Sequence, residues 1–587
     1  MRWHQLRRSS EGLPFFTTEP KSPGLRIYRL WRSFPRMKRT AIILCLLALT
    51  CIFTFYIASP FIQMADEASM DMLKTIEDIA NQPLSTERRP PPLTTLTNKS
   101  AMVFSGPSNE RQKAVTAAFQ HAWQGYRKYA WGHDQLKPVS ESYSDWFNTG
   151  LTIVDALDTA IIMGLQEEAN QATAWIRDTL TFEKDNYVSL FETTIRTLGG
   201  LLSAYHLTGD KMFVAKADDL ADRLLVAFTS SKSRVPLSDV NLMLRKAKPP
   251  QWSNQASLSE VTSLQLEFRD LSRLTGKKIY EEIAFNVSKH VHTIGCSEHD
   301  GLCEMYLNCN TGKFHPGPAI TFGARADSYY EYLLKQWLQT GKTVDWLLTD
   351  YKMAMGSMQS KLFRYSEPSK FGFVGELLSN DAFSPKMDHL VCFLAGTLAL
   401  GTVHGLPKEH LQLAESLGSG CQAMYRNPTG LGPEIAYFNM LPGQKEDLSI
   451  KPLDAHSLLR PEAIEAWFYL YRITGNKTYQ EWGWNAFEAI EKYARVRNGY
   501  SSVKSVKKIP VSYKDLMESF FLAETLKYLY LLFADDQKDL FPLDKWHISL
   551  TIETGVEVAL SLQILSAASS VYELRSEYLI IWEIRLK

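Results

Sequence analysis

The sequence predicts an all-α protein, a closed ring of helical hairpins held behind one N-terminal membrane span. Three observations carry that prediction. Thr40 to Ile62 is an uncharged run of 23 residues, long enough to cross a bilayer as a helix. Further on, the segments LLSAYHLTGDKMFVAKA, LEFRDLSRLTGKKIYEEIA, LLKQWLQTGKTVDWLL and LYRITGNKTYQEWGWNA each read as an apolar helix that stops at Thr-Gly and restarts as an amphipathic helix. Finally, the stretches between hairpins are long, 286–322 and 366–388 among them. That suits an α/α toroid whose connections build a site at one end better than an open solenoid of shorter repeats.

Taken in order, residues 1–39 carry ten Lys/Arg against only Glu11 and Glu19. The flank after the span, QMADEASMDMLKTIED, is acidic. The positive-inside rule therefore predicts a cytosolic tail over 1–39, a signal anchor over 40–62 and a lumenal remainder. A cleaved signal peptide fits less well, because the run is too long, begins late and lacks a small-residue cleavage site. Residues 63–109 contain ERRPPPLTTLTNKS, whose prolines and polar residues read as an extended stem.

Helical periodicity begins near Glu110. Gly209, Gly276, Gly341 and Gly475 are spaced by 67, 65 and 134 residues, with a weaker match near Gly405. Glycine takes the left-handed dihedrals of a helix C-cap at little cost, so a new helix can start within a few residues. A period near 67 over the remaining chain predicts six to seven hairpins.

Composition narrows the function. With 64 basic and 64 acidic residues in 587, the chain has no net field to attract a phosphate backbone, and no nucleic-acid partner is expected. Its 14 Trp and 26 Tyr supply a large core. Of seven cysteines, Cys45 and Cys51 lie in the span, leaving Cys296, Cys303, Cys309, Cys392 and Cys421 in an oxidising lumen. Five is odd, so at least one is free or pairs between chains. Cys296, His299, Cys303 and Cys309 could be drawn as a zinc site, but the spacing is irregular; a local disulfide or plain structural thiols fits better. Asn98, Asn286 and Asn476 open usable glycosylation sequons, whereas Asn427 is followed by a proline.

The chemistry is carried by acids that recur at helix ends beside arginines and aromatics: Phe191-Glu192-x3-Arg196, Arg325-Ala326-Asp327, Pro433-Glu434 and Arg460-Pro461-Glu462-x2-Glu465. Glu192 and Arg196, four apart, share a helical face, as do Glu462 and Glu465. One such pair is ordinarily a solvated surface pair. Four on successive hairpins are the equipment of a glycosidase, in which one carboxyl protonates the leaving oxygen and another carboxylate activates water.

At these residues the chain resembles glycoside hydrolase family 47, the class I α-1,2-mannosidases. The resemblance rests on YAWGHDQLKP, GLTIVDALDTAIIMGL, SLFETTIRTLGGLLSAYHLTGD, SEVTSLQLEFRDLSRLTG, FGARADSYYEYLLKQW, MDHLVCFLAGTLALG, GLGPEIAYFN, LLRPEAIEAWFYLYRITG and MESFFLAETLKYLYLLF, in order over about three quarters of the chain. It implies a lumenal seven-hairpin (α/α)7 barrel over 110–545, in the endoplasmic reticulum or Golgi. The implied activity is inverting, Ca²⁺-dependent removal of terminal α-1,2-linked mannose from high-mannose N-glycans. It implies Glu192 as general acid with Asp327 as a second candidate, Glu462 as general base, and Glu434 as a further carboxylate of the centre. Arg196, Arg325 and Arg460 would pair with the acids and reach the glycan. Glu260, His389, Glu465, Phe520 and Glu524 would line the pocket, with Phe520 stacked on the mannose ring. Cys392 and Cys421 match the family's disulfide.

Two departures follow. Gln135 stands where relatives often show glutamate. Members of the family close with a segment near FNTEAHP, whose threonine ligates Ca²⁺, while this chain continues from Lys545 as WHISLTIETGVEVALSLQ. Thr551, in a Thr-x-Glu echo, is the candidate replacement in a divergent tail over 546–587. Its absence of the family ending raises an alternative, a lumenal mannose-glycan-binding protein with impaired catalysis.

Overall fold

In the computed structural model the described residues are 102–536, apart from 251–252, 297–298 and 318, together with 541, 543 and the backbone of short strands between 546 and 564. The predicted tail and span, and the predicted stem up to residue 101, lie outside them; the last part of the stem, 102–109, packs on the barrel instead of standing as a spacer, with the Met102 N–H on the Leu207 carbonyl at 3.0 Å and Phe104 stacked on Phe541. Among the described residues no helix is long and apolar enough to cross a membrane.

Fourteen helices alternate between an outer and an inner layer. The outer helices are α1 (Glu110–Tyr129), α3 (Gln166–Asp178), α5 (Lys211–Leu224), α7 (Ile279–Ile294), α9 (Asp345–Ser357), α11 (Glu409–Met424) and α13 (Thr478–Tyr493). The inner ones are α2 (Leu151–Ile162), α4 (Gly199–Thr208), α6 (Gln265–Thr275), α8 (Asp327–Gln339), α10 (Phe393–Val403), α12 (Glu462–Thr474) and α14 (Leu526–Leu532). Each inner helix packs on the next around the ring. The turn leading into α14 packs on α2, and α14 itself packs on α1, so the toroid closes. The prediction of closure over a solenoid holds, with seven hairpins.

Burial separates the layers. An outer helix such as α3 buries only Ala169, Ala172 and Ile176, the i, i+3, i+7 stripe of an amphipathic helix. Inner helix α8 buries all 13 of its residues, Asp327, Glu331 and Lys335 included. One of its sides packs on the outer wall and the other faces the bore.

The repeated glycines explain the polarity of the ring. Gly209, Gly276, Gly341, Gly405 and Gly475 all have positive φ, between 66° and 93°, and follow inner helices α4, α6, α8, α10 and α12. Gly209 and Gly475 each return an N–H to the carbonyl four residues back, Tyr205 and Tyr471, at 2.7 and 2.8 Å. These short turns form one end of the barrel. The long connections, carrying every small sheet of the described barrel residues, therefore crowd the other end, at the N-termini of the inner helices. The connection expected over 286–322 starts only at Gly295, because Tyr280, Ala284, Val287 and Val291 keep α7 buried to Ile294.

Cys392 and Cys421 are joined, as are Cys296 and Cys303; Cys309 is buried and free. No cluster that could hold zinc exists among the described residues. The Cys392–Cys421 link ties the turn that leads into α10 to α11 across 29 residues. Converting both to alanine is expected to lower stability by about 3–4 kcal/mol through loop entropy alone, measurable as a drop in denaturation midpoint. A change under about 1 kcal/mol would refute the estimate.

After the barrel, Trp546–Ser549 pairs antiparallel with Ser561–Ile564, and Ile552–Glu553 with Val556–Glu557. Backbone neighbours of these strands are inner helices α4, α6 and α8, so the divergent tail returns to the inner ring. Thr551 lies outside the described residues.

Candidate active site

The inner helices begin at the end crowded with connections, and the acids found in the sequence sit at those beginnings. Asp327 and Glu462 are the first residues of α8 and α12. Glu192 ends a short turn, Leu190–Glu192, that passes through a π-helical segment, Thr193–Leu198, into α4. The sequence pattern read plain α-helix there. The π turn is the kind of local insertion that re-aims side chains at functional sites, and Glu192 still receives Arg196 Nε–H at 2.9 Å with the arginine fully buried.

Two groups of side chains result. In the first, Arg196 lies between the rings of Trp146 and Phe520, 5.6 and 6.0 Å from their centroids, and donates from Nη1 to Ser519 Oγ at 2.8 Å. Ser519 donates onward to Asp155 Oδ2 at 2.5 Å. Burial pushes the Glu192 carboxyl up to about 8, with Arg196 pulling the other way and Glu260, Asp155 and Glu518 adding to the rise. Asp155 is pushed up to about 6 by the same desolvation. Glu192 therefore holds its proton at neutral pH.

In the second group, Glu462 is fully buried and paired through Oε2 with His389 Nδ1. Its Oε1 is 3.8 Å from Arg460 Nη1. Arg460 Nε donates to Glu434 Oε2 at 2.7 Å, and the His389 N–H donates to the Glu434 carbonyl at 2.8 Å. This last bond continues the ladder of Lys386–Asp388 with Ile435–Phe438. His389 Nε2 meets Tyr425 Oη at 2.9 Å. Gly432 makes room for that contact, since a Cβ there would come within 2.8 Å of Nε2. Glu462 thus faces an imidazole from one oxygen and a guanidinium from the other, and the two together orient its carboxyl group.

Asp327 receives Ser259 Oγ–H at 2.7 Å, and burial raises its pKa well above the usual carboxylate range. Arg325 just before it adopts φ +78°, a left-handed conformation that non-glycine residues pay for, and its carbonyl is held by the Ser259 N–H at 3.0 Å. Glu260 is spent largely on a capping box with Ser257, so its part in the site is structural as well as electrostatic. Glu465 and Glu524 lie one turn inside the bore. Burial raises both well above the ordinary range, and Glu462 adds to the rise in each.

Several residues of the site escaped the sequence reading. Asp155 and Asp158 were the legible ones, two aspartates three apart in the otherwise apolar LTIVDALDTAII. Asp158 receives Lys527 Nζ at 2.8 Å and Ser203 Oγ at 2.7 Å. Glu518 accepts from Gln135 Nε2 at 2.6 Å; a glutamate at 135 would meet it as acid against acid. Ser259, Tyr425 and Ser519 carry no signal in sequence.

Residues 118–550 match the family profile described as glycosyl hydrolase family 47. The endoplasmic reticulum mannosyl-oligosaccharide 1,2-alpha-mannosidase of Rattus norvegicus is 54% identical over 438 residues, 73% of this chain and 66% of its own length. That of Homo sapiens is 53% identical over 445 residues, 75% of this chain and 63% of its own. The chain thus spans about two thirds of the length of these curated relatives. Among solved structures, the alpha-1,2-mannosidase from Trichoderma reesei matches with a TM-score of 0.68 at 29% identity, covering 73% of this chain and 94% of that one.

Proposed function

The chain belongs to glycosyl hydrolase family 47, and from that premise we propose that it hydrolyses terminal α-1,2-linked mannose from high-mannose N-glycans on glycoproteins. One observation carries the reading. The mouth of the barrel holds one carboxyl whose burial keeps it protonated at neutral pH, Glu192, and one set between a histidine and an arginine, Glu462.

The division of labour follows from those environments. Glu192, with Asp327 as its alternative or support, donates a proton to the departing glycosidic oxygen. Glu462, oriented by His389 and Arg460, takes a proton from the attacking water. Arg196, Arg325 and Arg460 hold the acids and present N–H donors to sugar hydroxyls, and the ring of Phe520 backs the mannose. Glu434 fixes Arg460 at the mouth. Release of free mannose from a nine-mannose glycan by the purified chain tests the assignment, and its absence in every condition would overturn it.

The pH dependence has a sign. A general acid works only while protonated, so activity is expected to fall as pH rises through about 8, the value of Glu192. Arg196 lowers that value, so Arg196→Gln should move the alkaline limb to higher pH while reducing the rate. A limb that stays put, or moves down, would assign the proton to another group.

The family reading includes Ca²⁺, and the donor chemistry of the bore suits a hard cation. Both carboxylate oxygens of Glu524, Glu465 Oε2 and Asp155 Oδ1 are buried without partners among the described residues. No three acids converge there, so Glu465 and Glu524 would hold the ion through water, with Thr551 as the candidate for a direct ligand. When bound, the ion would polarise and orient the hydroxyls of the terminal mannose.

The run 40–62 supports a single-pass type II anchor, and the relatives' names support residence in the endoplasmic reticulum, with the Golgi as the other lumenal station. A second reading, a mannose-glycan-binding protein with impaired catalysis, is favoured by the missing Asn-Thr-Glu-Ala-His ending alone.

A further inference from the structure

The motif YAWGHDQLKP sets Gln135 against Glu518 and spends Asp134 on the backbone N–H groups of Trp146 to Thr149 and Leu151, but its tryptophan faces elsewhere. Trp131 lines an open recess of about 330 Å³ on the outer wall, with Arg127 of α1 and Gln171, Trp175 and Asp178 of α3. Both helices end here, and outer helices end at the face that carries the long connections. The recess therefore lies on the rim of the catalytic end, outside the bore.

Its aromatic walls are held firmly. Trp131 packs edge-on against Trp123 and Tyr126, with centroids 5.7 and 6.1 Å apart. The Trp175 ring rests on two glycines of the 130–150 connection: a Cβ on Gly150 would come within 2.4 Å of the ring, and one on Gly132 within 3.3 Å of Nε1. The polar groups, in contrast, are unspent. Gln171 uses its Nε2 on Glu167 at 2.9 Å, while its buried Oε1 has no partner. Arg127, Asp178 and both indole N–H groups make no hydrogen bond or ion pair among the described residues, although one recess holds them all.

A cation and an anion on the same rim cancel, which disfavours a charged ligand and suits a neutral one rich in hydroxyls. Indole faces pack on the C–H faces of a pyranose, and planar guanidinium, carboxylate and amide groups bond pairs of hydroxyls. We propose that this recess is a second, non-catalytic sugar subsite, which takes a neutral hexose from a distal branch of the glycan whose terminal mannose occupies the bore. The connection 130–150 links the two places, since Trp131 lies at its start and Trp146, near its end, lies 5.6 Å from the Arg196 guanidinium. The proposal rests on the glycan-trimming reading of the bore.

The test uses the full chain labelled with 5-fluorotryptophan and carrying Glu462→Gln, so that a nine-mannose oligosaccharide is bound and not consumed. Trp131→Phe and Trp175→Phe assign the two fluorine signals of the recess, and Trp146→Phe assigns that of the bore. Saturable shifts of the recess signals are expected with the oligosaccharide. Arg127→Gln and Asp178→Asn, both at exposed positions, should weaken those shifts about fivefold. In the otherwise unmutated enzyme the same two changes should raise KM for the nine-mannose glycan by a similar factor, leave kcat within twofold, and leave an α-1,2-linked mannose disaccharide unaffected. Recess signals that stay still while the Trp146 signal shifts would overturn the subsite and spare the reading of the bore. If the Trp146 signal is also still and the unmutated chain releases no mannose, both fall.

Discussion

Replacing Glu462 by glutamine is expected to lower kcat on a nine-mannose glycan by about 10²–10⁴-fold, the usual contribution of a positioned acid or base, with KM within a few-fold of the original. The amide keeps the size of the carboxylate but cannot take a proton from water. Glu462 is fully buried and set between His389 and Arg460, so no bulk base can stand in for it. Glu192→Gln should be about as damaging on the glycan, for the opposite reason: the proton for the leaving oxygen is gone. The two losses part company on an aryl mannoside with an acidic phenol, whose departure needs no proton. There Glu192→Gln should recover most of its rate and Glu462→Gln none. Recovery by Glu462→Gln would exchange the roles, and a loss under tenfold for either variant on the glycan would remove that residue from the mechanism.

The second large effect concerns the end of the chain. Chelation of Ca²⁺ is expected to depress mannose release by at least about 10²-fold, since a metal that orients and polarises a substrate is worth several kcal/mol. Calorimetric titration with Ca²⁺ provides a reading independent of turnover. Beside the natural chain stands a chimaera in which the residues after Lys545 are replaced by the family ending. Calcium binding and chelator-sensitive activity in the natural chain would mean that its own tail completes the site, and Thr551→Ala should then weaken calcium binding. If only the chimaera binds calcium and turns over, the barrel and its carboxylates are sound and the natural chain is a glycan binder. If neither binds, Glu465 and Glu524 have been misjudged as the water-holding acids.

The tail shows how far local pattern reaches. Its strands come back to the backbone of α4, α6 and α8, three of the inner helices, although nothing in WHISLTIETGVEVALSLQ announces such a destination. The helices are different. Their stripes, the Thr-Gly stops and the period near 67 are local, because a helix and its cap are decided by residues within about two turns of each other. The same holds for the capping box that occupies Glu260, which Ser257-x-x-Glu260 spells out directly. Helix ends were less legible: α7 outlasts its expected stop because its buried stripe continues, and the π turn after Glu192 depends on packing that no spacing rule anticipates.

By itself, then, the sequence determined the hairpin ring, the acids and arginines at its mouth, and the Cys392–Cys421 pairing through family likeness. Only the tertiary structure decided what surrounds those acids. In DSYYEYLLKQWLQ the helix itself makes Glu331 and Lys335 neighbours, four residues apart, but it is closure of the ring that buries the pair along with the rest of the helix. Glu192 and Glu462 look alike on paper. One is held protonated by desolvation among Glu260, Asp155 and Glu518, the other sits between His389 and Arg460, and those neighbours come from other hairpins or connections except for Arg460. Desolvation and Coulomb energy depend on what surrounds a group in space, so the difference between the two carboxyls arises only once the ring has closed.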